Sequence, residues 1–121
     1  MTSLDRRGSP RIASQLPLAV ADRDGELLTR THNVSASGAY CTLKRFLPPM
    51  TKLHVRLEIP GSPRPLRLAC QGVVVRVEPP TVRPRTRSYH VAIMFRDLTS
   101  HDRSTLDRYV QQQLVAASPR S

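Results

Sequence analysis

Two arginines four residues apart, Arg7 and Arg11, stand in a basic N-terminal stretch; 22 residues later the chain's only asparagine opens the run Asn33-x-Ser35-x-x-Gly38. Guanidinium is a planar fork that fits phosphate oxygens and the guanine edge, and it stacks on flat rings. Asn, Ser and Gly bond their own backbone or tolerate positive φ, so turn chemistry alone accounts for the second run. The arginine spacing is weak by itself: roughly two chance matches are expected in so Arg-rich a chain, and a second one stands at Arg83 and Arg87. The asparagine run is rarer, at roughly one chance match in forty such chains. An arginine pair followed by that run between two strand-like segments is rarer still.

Residues 1–13 are polar and basic and form a flexible arm. The stretch "LPLAVADRDGELLTRTHNV" is two apolar segments around Asp24-Gly25, a strong hairpin signal. "GAYCTLK" makes a third strand. "TKLHVRLEIP" alternates, with Leu53, Val55, Leu57 and Ile59 on one side. "LRLACQGVVVRVE" is a longer strand in which Gly72 marks a bulge or a close backbone approach. "PPTVRPRTR" is a loop. "SYHVAIMF" alternates again, with Tyr89, Val91, Ile93 and Phe95 inward. The period then changes: Thr99 and Asp102 resemble a capping box, and Leu106, Tyr109, Val110 and Leu114 recur at helical spacing. Residues 14–117 therefore form the folded domain, and 118–121 a disordered tail.

The 121 residues make one domain, and with three Tyr, two Phe and no Trp its core must be Val, Leu and Ile, which favours sheets. The net charge of +10 is carried by 17 Arg and two Lys. Such a field draws polyanions, although a GC-rich genome also substitutes Arg for Lys throughout. Cys41 and Cys70 lack metal or disulfide-framework spacing and read as two buried thiols in a reducing cytosol, with a single bridge as the alternative. The four histidines are dispersed in sequence, so no metal site is expected. No apolar run approaches a membrane span and no signal peptide is present, which points to a cytoplasmic protein. No nucleophile–base–orienter set or carboxylate pair is evident, so no enzyme is expected. Several short strands and one terminal amphipathic helix make a small antiparallel barrel with a helix beside it.

The two motifs, in this order and with this strand pattern, resemble the PilZ domain, a bacterial receptor for cyclic di-GMP. The resemblance covers about residues 5 to 116; "GVVVRV" and "HVAIMFRDLTSHDRSTLDRYV" resemble the family's fifth-strand pattern and its final strand and helix. It implies a mainly β fold, a six-stranded antiparallel β-barrel with a C-terminal α-helix. It also implies that Arg7 and Arg11 clamp the ligand from the arm, that Asn33 meets a guanine edge, that Ser35 meets a phosphate or nearby backbone, and that Gly38 lets backbone approach the base. Where the family often has Trp, this chain has Arg76, which can stack on guanine. An Arg before the arginine pair, here Arg6, goes in the family with two intercalated cyclic di-GMP molecules. No cofactor is implied beyond that ligand. The expected output is through a protein partner, without specific nucleic acid or membrane binding. The rival readings are a PilZ-like interaction module acting without nucleotide and a small Arg-rich nucleic-acid-binding barrel.

Overall fold

Gly25 sets the first chain reversal: its φ of +127° is one that side-chain-bearing residues rarely adopt, and Asp22 Oδ1 accepts the Asp24 amide at 2.8 Å to close the turn. Arg45 then grips Asp22 with both guanidinium ends, at 3.0 and 3.1 Å, and that bond holds the Asp22 carboxyl below its ordinary range. In the computed structural model, which describes residues 10–61 and 63–117, this hairpin joins β2 (Pro17–Asp22) to β3 (Gly25–Ser35). Before it lies a two-residue strand, β1 (Arg11–Ile12). After it come β4 (Gly38–Leu43), β5 (Lys52–Ile59), β6 (Leu66–Glu78), β7 (Tyr89–Phe95) and the helix α1 (Ser100–Ala117).

All pairings are antiparallel, and the order β3-β2-β5-β6-β7-β4 closes on itself because β3 also pairs with β4. The result is a six-stranded barrel with β1 added against the end of β3. Closure leaves the strands without long free edges. Because strands alternate in direction, the 23–24 turn and the loops 44–51 and 79–88 gather at one end. The 36–37 turn and the entry to α1 lie at the other.

The alternation in β5 is followed throughout: Leu53, Val55, Leu57 and Ile59 are buried, as are Tyr89, Val91, Ile93 and Phe95 of β7. Gly72 is a close approach: a Cβ there would stand 2.8 Å from Val55 Cγ2 and 2.9 Å from Ile93 Cγ2. The irregularity in that strand falls instead at Val75, where the β6–β7 register shifts between Val74 and Arg76. Thr99 Oγ1 accepts the Asp102 amide at 3.0 Å and caps α1, whose Leu106 and Val110, one turn apart, are fully buried.

The arm expected over residues 1–13 ends earlier than its polarity suggests. Arg11 pairs with Ser35 and Ile12 with Val34, and Ile12 belongs to the core. One large apolar side chain, Ile12, is enough to seat a strand when an unpaired backbone lies beside it. Among the described residues, no helix is long and apolar enough to cross a membrane.

Candidate functional site

Two β-bulges present two of the candidate residues. In β3 the pairing with β4 passes from Thr31↔Cys41 to Asn33↔Tyr40, leaving His32 as the extra residue. A strict period of two would point Asn33 inward with Thr31; the bulge turns it to the outer wall and sends Val34 into the core. The bulge at Val75 does the same for β6. Val74 and Val77 face the core, while Val75 and Arg76 both lie exposed on the outer wall.

The turn between β3 and β4 is Ala36–Ser37, so Asn33, Val34 and Ser35 are strand residues and not the turn itself. Ser35 is fully buried; its Oγ accepts the Ser37 amide at 3.1 Å and lies 3.0 Å from Ser37 Oγ. The turn is held from two further sides. Ser37 O accepts the Phe95 amide at 2.9 Å, and Ala36 O accepts Arg103 Nη1 of α1 at 3.3 Å. Gly38 is needed by the barrel: an added Cβ would run into the carbonyl oxygen of Ile93 on β7 and come within 3.3 Å of Met94 Cα. Its backbone is not in the left-handed region.

Arg11 donates from Nη1 to Asn33 Oδ1 at 3.1 Å, which joins the start of the domain to the motif. The chain beyond it is fastened by Thr31, whose Oγ1 accepts the Leu16 amide at 2.9 Å, and by a 2.9 Å hydroxyl contact between Ser14 and Tyr109 of α1. Arg11, Ser37, Gly38, Tyr40, Arg76 and Met94 line one outer-wall cleft of about 420 Å³. It has two guanidinium groups, apolar floor from Val75, Ala92 and Met94, and no acidic residue among its described lining. Such a cleft suits an anion carrying flat rings. A depression of about 450 Å³ on the opposite wall, over β2, β5 and β6, holds none of the candidate residues. Its Arg56 and Arg67 are already paired with Glu26 and Glu58, so its charge is compensated.

Of the candidate residues, the structure thus brings Arg11, Gly38 and Arg76 to the cleft, with Asn33 bonded to Arg11 and Ser35 buried beneath the turn. Arg6 and Arg7 lie outside the described residues. Tyr40 is a lining residue that the motifs do not indicate. Its ring stacks on His90 at 6.0 Å and 13°, and His32 lies 5.8 Å from it. Both imidazoles meet Thr42 Oγ1, His90 Nδ1 at 3.1 Å. Two of the four histidines dispersed in sequence, His32 and His90, are therefore neighbours on the wall, although among the described residues no set of three or more metal-binding side chains gathers. Nothing in the sequence marks Tyr40 except its position two after Gly38, on the same outward face. The thiols are apart from the cleft lining; burial pushes Cys41 up to about 12 and Cys70 up to about 11, the latter with help from Asp97 and Asp102.

The PilZ domain model matches residues 5–112. Among solved structures, the Bacillus subtilis inhibitor of motility (MotI/DgrA) superposes with a TM-score of 0.78 at 18% identity over 93% of this chain, which spans 53% of that one. The PilZ domain with c-di-GMP of YcgR from Escherichia coli gives 0.63 at 12% identity, covering 93% of this chain and 97% of that one. The PilZ domain of CeSA from a cellulose synthesizing bacterium gives 0.53 at 18%, covering 86% and 97%. At these identities the structural likeness is one of fold. No curated protein matches in sequence. With a family model spanning nearly the whole domain and the barrel, helix and motif turn in place, the chain belongs to the PilZ domain family.

Proposed function

We propose that this protein is a cyclic di-GMP receptor that signals through a protein partner, and that it is not an enzyme. The observation that carries the reading is the outer-wall cleft lined by both Arg11 and Arg76, with no carboxylate among the described lining residues. A cyclic dinucleotide brings two phosphate charges and two purine faces. Guanidinium groups answer both needs, by forked hydrogen bonds and by stacking. The family and the YcgR structure, which holds c-di-GMP, support the choice of ligand.

In this reading Arg7 and Arg11 contact phosphate or guanine, Asn33 orients Arg11 and a base edge, and Arg76 stacks where the family often has Trp. Ser35 and Gly38 act through the turn and the strand they shape. Arg6 adds a third cation for a second, intercalated ligand, whose arrival puts four phosphate charges in one site. The partner responds to the difference in its affinity for the liganded and unliganded protein.

Competition binding tests this reading. Labelled cyclic di-GMP is displaced by unlabelled cyclic di-GMP but not by equal concentrations of GTP or linear diguanylate, which do not hold two guanines on one closed ring. Equal displacement by all three would reduce the cleft to a general anion site.

A further inference from the structure

The barrel end away from the Ala36–Ser37 turn carries charge that the ligand site does not use. Arg23, Lys44, Arg83, Arg85 and Arg87 are all exposed there. Among the described residues no ion pair reaches Arg83, Arg85 or Arg87, whereas Arg45, Arg56 and Arg67 each hold a carboxylate. Carboxylates compensate the barrel wall and leave this loop bare.

The loop is also held in shape. Pro79, Pro80 and Pro84 restrict its backbone, the Thr86 amide donates to Arg83 O at 3.1 Å, and the Arg83 amide donates to Tyr89 Oη at 3.4 Å. Tyr89 is itself buried, edge-on to Phe46 of the 44–51 loop at 5.4 Å. Two large apolar side chains stand out at the same end, Val82 at 67% exposure and Met50 at 72%. Met50 holds a φ of +74° while its amide donates to Val74 O at 2.7 Å, an uncommon conformation for a side chain of that size.

From this we infer that the 79–88 loop, with Met50 of the 44–51 loop at the same barrel end, is a docking surface for an acidic segment of a partner protein. Carboxylates of that segment take the forks of Arg83, Arg85 and Arg87, and its apolar side chains take Val82 and Met50. A restrained loop loses little conformational freedom on docking. Nucleic acid fits less well, because the aromatic rings at this end, Tyr89 and Phe46, are not exposed for base stacking. A lipid surface fits less well too, since membrane-surface binding draws on a continuous apolar face and here two side chains stand on separate loops. The inference rests on the partner-signalling reading above. Because the cleft opens on the wall and the loop crowns the far end, both can be occupied together.

The test is fluorescence anisotropy with a labelled peptide of glutamates and interspersed leucines, at physiological salt. The triple variant R83Q/R85Q/R87Q binds about tenfold more weakly, the product of three exposed ion pairs each worth roughly twofold. A control of equal charge loss, R64Q/R96Q/R108Q, stays within about twofold of the unmodified protein. Equal weakening by both variants would mean that net charge alone binds the peptide and would overturn the inference. So would loop-dependent binding to duplex DNA or to phosphatidylserine vesicles that is tighter than binding to the peptide. The receptor reading is judged separately: the loop variant keeps the cyclic di-GMP isotherm of the unmodified protein.

Discussion

Arg11 and Asn33 are one hydrogen-bonded unit, Nη1 to Oδ1 at 3.1 Å, at the place where β1 pairs with the end of β3. Residues 22 positions apart in the chain thus form one polar unit, of which Arg11 lines the cleft. In the proposed receptor Arg11→Ala removes a charge-assisted bond to ligand, so it is expected to weaken cyclic di-GMP binding about 10- to 150-fold, from roughly 1.5–3 kcal/mol. Polarity alone would assign Arg11 to an arm whose loss leaves stability untouched. Its strand pairing and its bond to Asn33 predict a drop in melting temperature as well, read by thermal denaturation.

Gly38→Ala is a test of the barrel more than of the ligand site. The new methyl would overlap the Ile93 carbonyl, a backbone atom that cannot swing aside, so β4 and β7 must separate locally. The expected destabilisation is about 1–3 kcal/mol, visible as an earlier urea midpoint in the absence of ligand. Unchanged stability with lost binding would mean that the glycine is kept clear for the nucleotide instead.

Ser35→Ala removes the acceptor of the half-buried Ser37 amide. A cost of about 0.5–1.5 kcal/mol follows, and affinity falls with it because the turn borders the cleft. Ser37→Ala, which removes only the hydroxyl contact, has the smaller effect. Parallel melting and binding curves for the two variants check the order.

These variants also mark what the sequence made legible. Periodicity in β5 and β7 placed their core residues, and the Thr99 cap and the Leu106–Val110 spacing placed the helix. The PilZ resemblance implied one site for Arg11, Asn33 and Gly38, and Arg11 bonds Asn33 and lines the cleft with Gly38. The bulges were out of reach: His32 and Val75 are extra residues only relative to partners on β4 and β7, and register is not written in either strand alone. The role of Gly38 was hidden for the same reason, since the atom it avoids is contributed by residue 93. Tyr40 and His90 meet because β4 lies beside β7, which chain order does not reveal.

The two thiols set a pH limit on the fold. Desolvation raises Cys41 to about 12 and Cys70 to about 11 from an ordinary value of 9.0. Above pH 9 the unfolded chain releases thiol protons that the folded chain retains, so the unfolded state binds fewer protons and stability falls as pH rises. The decline begins near the ordinary value and continues through the raised ones. Urea midpoints measured from pH 8 to 11 are expected to fall, and more shallowly in C41A/C70A once each is compared with its own value at pH 8. A thiol reagent at pH 8 labels buried Cys41 only on unfolding, and half-buried Cys70 more slowly than in the unfolded chain.

Calorimetric titration of the unmodified protein with cyclic di-GMP is the most direct test of the receptor assignment. Saturable heat is expected, with two ligands per chain, falling towards one in Arg6→Leu and lost in Arg7→Ala/Arg11→Ala. A one-to-one isotherm would remove the role given to Arg6. The absence of saturable binding, or an isotherm unchanged by the double substitution, would contradict the assignment of the Arg11–Arg76 cleft as a cyclic di-GMP site.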